Sequence, residues 1–331
     1  MADALMAAMV EQTPRSKGPR GAPGSGNGDG LFHALCFSAA MVLMTTLAGL
    51  LVALLIGGWP ALSRFGFSFF TSSVWNPSGT PDNPEAYGAA GPIAGTLITA
   101  FIAMLLAFPL AVGIAVFLVE FCPRRLAHWV GIAVELLAGI PSIVYGMWGL
   151  FVLAPWFAEH IQTPLLLDLN PDGFWGKLFS GVPNGANIFT ASLILAIMVL
   201  PYIATVFREL LLSIPPYLRE AAYGMGCTPF EVVRNIMLPY IRRSAVGAVM
   251  LGLGRALGET MAVTFIIGNS HALPHSLFDS GSTIASTIAN EFTEATGDLH
   301  VSALIALGLI LFLITFATLA AARLLLGREK L

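Results

Sequence analysis

Six apolar runs, each long enough to cross the hydrocarbon of a bilayer, recur along this sequence at about 31–57, 92–120, 126–157, 187–213, 244–269 and 300–326. A bilayer core roughly 30 Å thick needs about 20 apolar residues in helical form. Backbone groups inside it must be satisfied within the segment itself, which leaves helices as the spanning structure for runs of this length. Composition agrees: 56% of the residues are hydrophobic and only 11% charged, far from the roughly 25% charged of a soluble domain. The expected fold class is therefore an all-α integral membrane protein of six transmembrane helices. Its divisions are a disordered tail over 1–30, a first transmembrane helix over 31–58, a loop over 59–91, a core over 92–326 and a short C-terminus over 327–331. The tail run RSKGPRGAPGSGNGDG cannot bury enough apolar surface to order itself, and no cleavage pattern marks the first apolar run as a removable signal.

Orientation follows from the sixteen lysines and arginines. Arg15, Lys17 and Arg20 in the tail, Arg124 and Arg125 after the second run, Arg208, Arg219, Arg234, Arg242 and Arg243 around the fourth connection, and Arg323, Arg328 and Lys330 at the end all fall on one side. The other side holds Arg64 and Lys177, while Arg255 lies inside the fifth run. The positive-inside rule places the termini and the fourth connection in the cytoplasm. Long loops at about 58–91, 158–186 and 270–299 are then external, with Trp75, Trp156 and Trp175 in or near them as interfacial anchors.

The fourth connection, 214–243, carries a distinct local grammar. Pro215-Pro216 stops the preceding helix and lets a new one begin near Tyr217. Gly224 and Gly226 break that helix, and Thr228 with Glu231 has the spacing of a capping box opening another. The series Glu220-Ala221-Ala222, three residues, Gly226, nine residues, Ile236-x-Leu238-Pro239 resembles without a mismatch the EAA loop of ABC-importer permeases. The resemblance implies a short cytoplasmic helix that docks on a separate ATPase.

The charges inside the fifth run are the other unusual feature. In GLGRALGETMAV, Gly252 to Val263, Arg255 and Glu259 stand four apart and share a helical face with the small residues Ala248, Gly252, Gly258 and Ala262. Arg255 falls on the order of 16 Å into a core roughly 30 Å thick, where a lone charge costs at least about 2.5–3.5 kcal/mol. The pair either fixes helix packing or lines a path, and the forked donors of arginine match a tetrahedral oxyanion. Glu135, before Gly139-Ile140-Pro141, has three open readings: partner to Arg255, contact to another subunit, or a group reaching the interface. Pro109, Gly139-Pro141 and Pro201 are expected to interrupt spans two, three and four.

The stretches GRALGETMAV and AGIPSIVYG (Ala138 to Gly146), together with the EAA loop, are similar to the phosphate-importer permeases of PstC type over about residues 60–326. That likeness implies the type I ABC-importer (MetI-like) fold in a bacterial inner membrane. It also implies a homologous second permease subunit, two copies of an ATP-binding subunit, an external phosphate-binding protein and no nucleic-acid partner. It gives Arg255 and Glu259 to the phosphate path, and Glu135, through the first of its open readings, is a further candidate for that path. No cofactor is expected in this chain: a Walker A motif does not occur in it, and ATP with magnesium belongs to the partner ATPase. Rival readings are transport of molybdate, sulfate or another solute, and an intramembrane lipid-phosphate hydrolase using Glu259 and the loop histidines. His271 and His275 are four apart but separated by Pro274, which argues against a metal site. Cys36, Cys122 and Cys227 are too scattered for a disulfide framework or a zinc site and read as apolar fillers.

Overall fold

The computed structural model describes residues 27–79 and 84–327. Among them are six helical stretches long and apolar enough to cross a membrane: Asp29–Phe65, Ala90–Phe121, Ser142–Asp168, Ile188–Leu212, Pro229–Leu257 and Asp298–Ala321. The helices used below are α1 (Asn27–Phe65), α2 (Ala90–Val116), α3 (Arg124–Ala138), α4 (Ser142–Trp148), α5 (Ile188–Leu212), α6 (Pro216–Gly224), α7 (Pro229–Val232), α8 (Leu238–Leu257), α9 (Met261–Thr264), α10 (Ile284–Glu291) and α11 (Asp298–Gly327). A small antiparallel hairpin pairs β1 (Trp75–Asn76) with β2 (Ala86–Tyr87).

The chain divides into two units at Ala53. The described part of the first unit is the N-terminal portion of α1, whose apolar side chains are almost all exposed. In the second unit α5 is the most enclosed span. It packs on an alanine ladder of α2, in which Ala100, Ala103, Ala107, Ala111 and Ala115 recur along one face and are all buried. Hydrocarbon surrounds such helices, so no hydrophobic effect drives them together, and small side chains that allow close backbone approach do that work. Gly58 serves the same end where α1 meets α11, since a Cβ there would stand 3.0 Å from the Ala306 Cα. Ser302 joins these two helices by donating to the Gly57 carbonyl at 2.7 Å and accepting from the Ala61 amide at 3.0 Å.

Proline placement explains the irregular helical turns. Four π-helical turns, Phe117–Phe121, Gly149–Leu153, Ala158–Gln162 and Val233–Met237, each end two residues before a proline, namely Pro123, Pro155, Pro164 and Pro239. In each case the residue just before the proline donates to the carbonyl five back. A proline ring clashes with the carbonyl four residues earlier and offers no donor, so the turn widens and its backbone groups find other partners. Three of the four helices continue past the proline; at Pro123 the helix ends instead.

Several expected boundaries move. Residues 1–26 of the expected tail lie outside the described residues, and 27–30 already belong to α1, which runs on through Phe65 rather than ending at 58. Pro109 and Pro201 sit inside continuous helices and interrupt nothing. Gly139-Ile140-Pro141 does break the chain, so the apolar run at 126–157 is two helices and the third span is 142–168. Tyr145 helps close that break, its hydroxyl donating to the Leu137 carbonyl at 2.9 Å. The fifth span, expected over 244–269, begins instead at Pro229 and stops at Leu257, because Gly258, Glu259 and Thr260 leave the helix before α9 resumes.

Candidate functional site

The segment between α5 and α8 folds as its local chemistry dictates. Pro215 has an extended ψ of 130° and α6 starts at Pro216, where a missing amide donor costs nothing. The helix ends in a Schellman turn: the Cys227 amide donates to the Ala222 carbonyl at 3.1 Å and the Gly226 amide to that of Tyr223 at 2.9 Å. Gly226 has φ +88°, which L side chains rarely adopt, while nothing stands within 4 Å of where its Cβ would be. Backbone strain rather than steric clash therefore demands glycine at 226. Thr228 caps α7 with the expected capping box, its amide donating to Glu231 Oε2 at 2.8 Å. α7 is no separate short helix; it runs through the π-helical turn before Pro239 straight into α8.

Within the EAA series the structure separates two roles. Ala222 is fully buried, and Ile236 and Leu238 are half-buried against the same core. Glu220, Ala221, Gly226 and Pro239 are exposed, as are Tyr217, Met225 and Phe230. An exposed apolar tip beside an exposed carboxylate is a surface built to be covered. The hidden side of α6 is held by Glu120, in the last turn of the second span: Arg219 Nη2 lies 2.6 Å from its Oε2, and the Tyr223 hydroxyl donates to its Oε1. Burial, and then the bond to Glu120, push the Tyr223 phenol up to about 12, so it remains a donor at any physiological pH. Sequence reading missed this tie, because its partners stand 99 and 103 residues apart.

Arg255 is exposed in the last turn of α8, its guanidinium carbon 5.7 Å from the centre of the Tyr202 ring. Tyr202 lies midway along α5, and Gly252, three residues before Arg255, touches Ile203 and Met104 midway along α5 and α2. The guanidinium is thus near the middle of the bundle's depth. Arg255 and Glu259 do not share a helical face, because the helix has ended between them, and among the described residues no ion pair joins them. Glu259 instead accepts from the Ala262 amide at 3.3 Å, at the start of α9. Of the expected small-residue strip, Ala248, Gly252 and Ala262 are buried and Gly258 is exposed. α9 meets α4, where a Cβ on Gly146 would stand 2.9 Å from the Ala262 Cα. Two breaks in the helical backbone, at 139–141 and 258–260, therefore lead into helices that pack together beside Arg255.

Glu135 is on α3. It pairs with Arg208 at 3.3 Å, and Arg208 reaches it across Gly131, whose missing Cβ leaves 3.1 Å to the guanidinium carbon. A cleft of about 800 Å³ between α5, α8 and α11 is apolar apart from Ser244 and Arg323 and does not include Arg255 among its walls. At the opposite end of α2, Glu291 collects His271 at 3.0 Å, His300 at 2.9 Å and the Trp75 indole at 2.7 Å. Trp75 stacks on His271 and Tyr87 on His300. Burial favours the protonated form of Glu291, but donation from His271, His300 and Trp75 outweighs it and holds the carboxyl below its usual value. Among the described residues no group of His, Cys, Asp and Glu is placed to hold a metal ion.

Comparison with known proteins places this architecture. The family described as "Binding-protein-dependent transport system inner membrane component" matches residues 109–330. The chain is 53% identical to the Phosphate transport system permease protein PstC of Mesorhizobium japonicum, over 91% of this chain and 90% of that one. It is 51% identical to the PstC of Haemophilus influenzae, covering 91% and 94%, and 40% identical to PstC 2 of Mycobacterium tuberculosis, covering 91% and 92%. The fold matches a chain of a bacterial alginate ABC transporter solved with an alginate-bound periplasmic protein, at TM-score 0.58 and 16% identity over 89% of this chain and 93% of that chain. Six spans with a helical turn projecting between the fourth and fifth define a membrane permease subunit of the ABC-importer class. The chain belongs to the binding-protein-dependent transport system inner membrane component family and, within it, to the PstC permeases.

Proposed function

We propose that this chain forms part of the path for inorganic phosphate in an ATP-driven importer and receives the power stroke through residues 216–239. The observation that carries the reading is Arg255, a guanidinium exposed in the lone chain near mid-depth of the bundle. Hydrocarbon does not tolerate an uncovered arginine there, so this face must meet water, anion or another subunit. Beside it, unwound backbone at 258–260 is the kind of structure a membrane accepts only in a protein-lined or water-lined place. Arg255 would bind the anion in passage, and Glu259, tethered to the Ala262 amide, would border the path. The names of the relatives point to phosphate over other oxyanions. Glu135, paired with Arg208, is assigned to packing of α3 rather than to the path.

A homologous permease would complete the path, two ATPase copies would bind ATP with magnesium and grip the exposed Glu220 and Met225 surface, and an external phosphate-binding protein would deliver the anion. Orientation with the termini and the EAA segment in the cytoplasm of a bacterial inner membrane is supported by the distribution of lysine and arginine. Cysteines placed at Ser16 and Ser180, in a background lacking the native three, test it. Only position 180 should react with an impermeant reagent in intact cells, and labelling at 16 would overturn the orientation. Function is tested by purifying the assembled transporter and measuring which anion stimulates ATP hydrolysis; stimulation by sulfate or molybdate and not by phosphate contradicts the substrate.

A further inference from the structure

Glu120 is a nearly buried carboxylate in the last turn of the second span. Its side chain is only 4% exposed, yet both oxygens are occupied, Oε2 by Arg219 at 2.6 Å and Oε1 by Tyr223. Arg219 and Tyr223 stand four apart on α6 and so present one face to it. Leu218 and Ala222 fasten the same helix to the apolar core, while Glu220, Ala221 and Met225 are left exposed. α6 is therefore gripped on one side and free on the other.

The helix that grips it reaches the far end of the bundle. α2 with its terminal turn runs unbroken from Ala90 to Phe121. Near its beginning Gly91 abuts the His271 carbonyl, and Thr96 accepts from the Ile284 amide at 2.9 Å. Midway, Met104 touches Gly252, one turn from Arg255. One continuous helix thus touches the EAA helix, the neighbourhood of the mid-depth arginine and the opposite loops.

We propose that Glu120 is a positioning residue for coupling: it locks α6 to α2, so that a displacement imposed on α6 moves α2 as a body. This rests on the reading that the EAA segment meets the ATPase. The planar guanidinium of Arg219 holds an orientation against the carboxylate, and the Tyr223 hydroxyl fixes the roll of α6 about its own axis. A pair this buried is a poor source of stability, because desolvation offsets attraction. What it offers is a fixed relation between two helices.

The test uses the complete transporter in proteoliposomes, with phosphate moved and ATP hydrolysed measured together. Glu120→Gln should hydrolyse ATP while the phosphate-to-ATP ratio falls by about tenfold, the size of an ordinary coupling effect. A spin label at position 225 should show a broadened distance to the bundle in that variant. A ratio within about twofold of wild type overturns the proposal. If Glu120→Gln alone fails to reach the membrane, the double variant Glu120→Gln/Arg219→Gln removes both charges together. It should assemble and show the same low ratio, and a normal ratio there is equally fatal. The wild-type ratio is taken first with phosphate, sulfate and molybdate. A complex that moves another anion contradicts the substrate reading and leaves the comparison of ratios intact on the anion it does move.

Discussion

Glu120 and Glu291 each gather polar partners near one end of the same helix, α2, but the partners differ in kind. Glu120 holds an arginine and a tyrosine on a helix with an exposed outer face. Glu291 holds two histidines and an indole among stacked rings, drawing together the β-hairpin, the loop before α10 and the start of α11. The planar fork of the guanidinium holds an orientation. Beside the histidine cluster, burial and then Glu85 and Glu291 push the Tyr87 phenol up to about 12, with Arg64 opposing them. The first tie suits a part that must transmit motion; the second suits one that must stay closed.

The largest effect should come from breaking the first region at its turn. Gly226→Val forces a β-branched residue into φ +88°, a conformation costing on the order of 1–3 kcal/mol, in a segment that must fit a partner. Uptake should be abolished while membrane abundance is kept. Gly224→Ala, on ordinary helical backbone with nothing within 4 Å, should leave uptake intact. Normal uptake by Gly226→Val would remove the coupling role of this turn.

Glu291→Gln sharpens the contrast. It removes the charge that His271, His300 and Trp75 share, and the loss should be about 1–3 kcal/mol of stability, seen as a lower unfolding temperature in detergent. The ratio of phosphate to ATP should not change, which is the reverse of the pattern expected for Glu120→Gln. Equal uncoupling by both variants would erase the distinction.

Acidity separates the two ends further. Glu291 is held below the ordinary carboxylate value, so its contribution is complete above that value and is lost as pH falls through the lowered one. Wild type should therefore lose more thermal stability than Glu291→Gln as pH drops below about 4.3. Parallel pH profiles for the two proteins would contradict the cluster's role. The smallest effect is expected at Glu135, whose half-exposed pair with Arg208 is worth no more than about 1 kcal/mol; Glu135→Gln should transport normally.

What sequence could tell follows from how local each feature is. The α6 turn was legible because its instructions lie within a dozen residues: Pro215-Pro216 to start, Gly226 to reverse, Thr228 and Glu231 to restart. The number of spans was legible from hydropathy, but not their ends. Summing apolar residues across Gly139-Pro141 merged α3 with the third span, and reading Arg255 and Glu259 as one helical face assumed a helix that Gly258 ends. The prolines most suspected, Pro109 and Pro201, lie in continuous helices, whereas Pro155, Pro164 and Pro239 widen the turns before them. Nothing in the sequence announced Glu120 or Glu291 as centres, because contacts such as Trp75 to Glu291 cross 216 residues and arise only from packing.

Phosphate uptake by proteoliposomes containing the complete transporter, with Arg255→Gln and Arg255→Lys compared at equal abundance, tests the central claim most directly. Because among the described residues no carboxylate pairs with Arg255, its removal should leave assembly intact. The account predicts that Arg255→Gln lowers uptake by at least about tenfold, and that Arg255→Lys is also impaired because an ammonium cannot reproduce the forked contact. Uptake near the wild-type rate in Arg255→Gln would contradict it and return this arginine to a purely structural role.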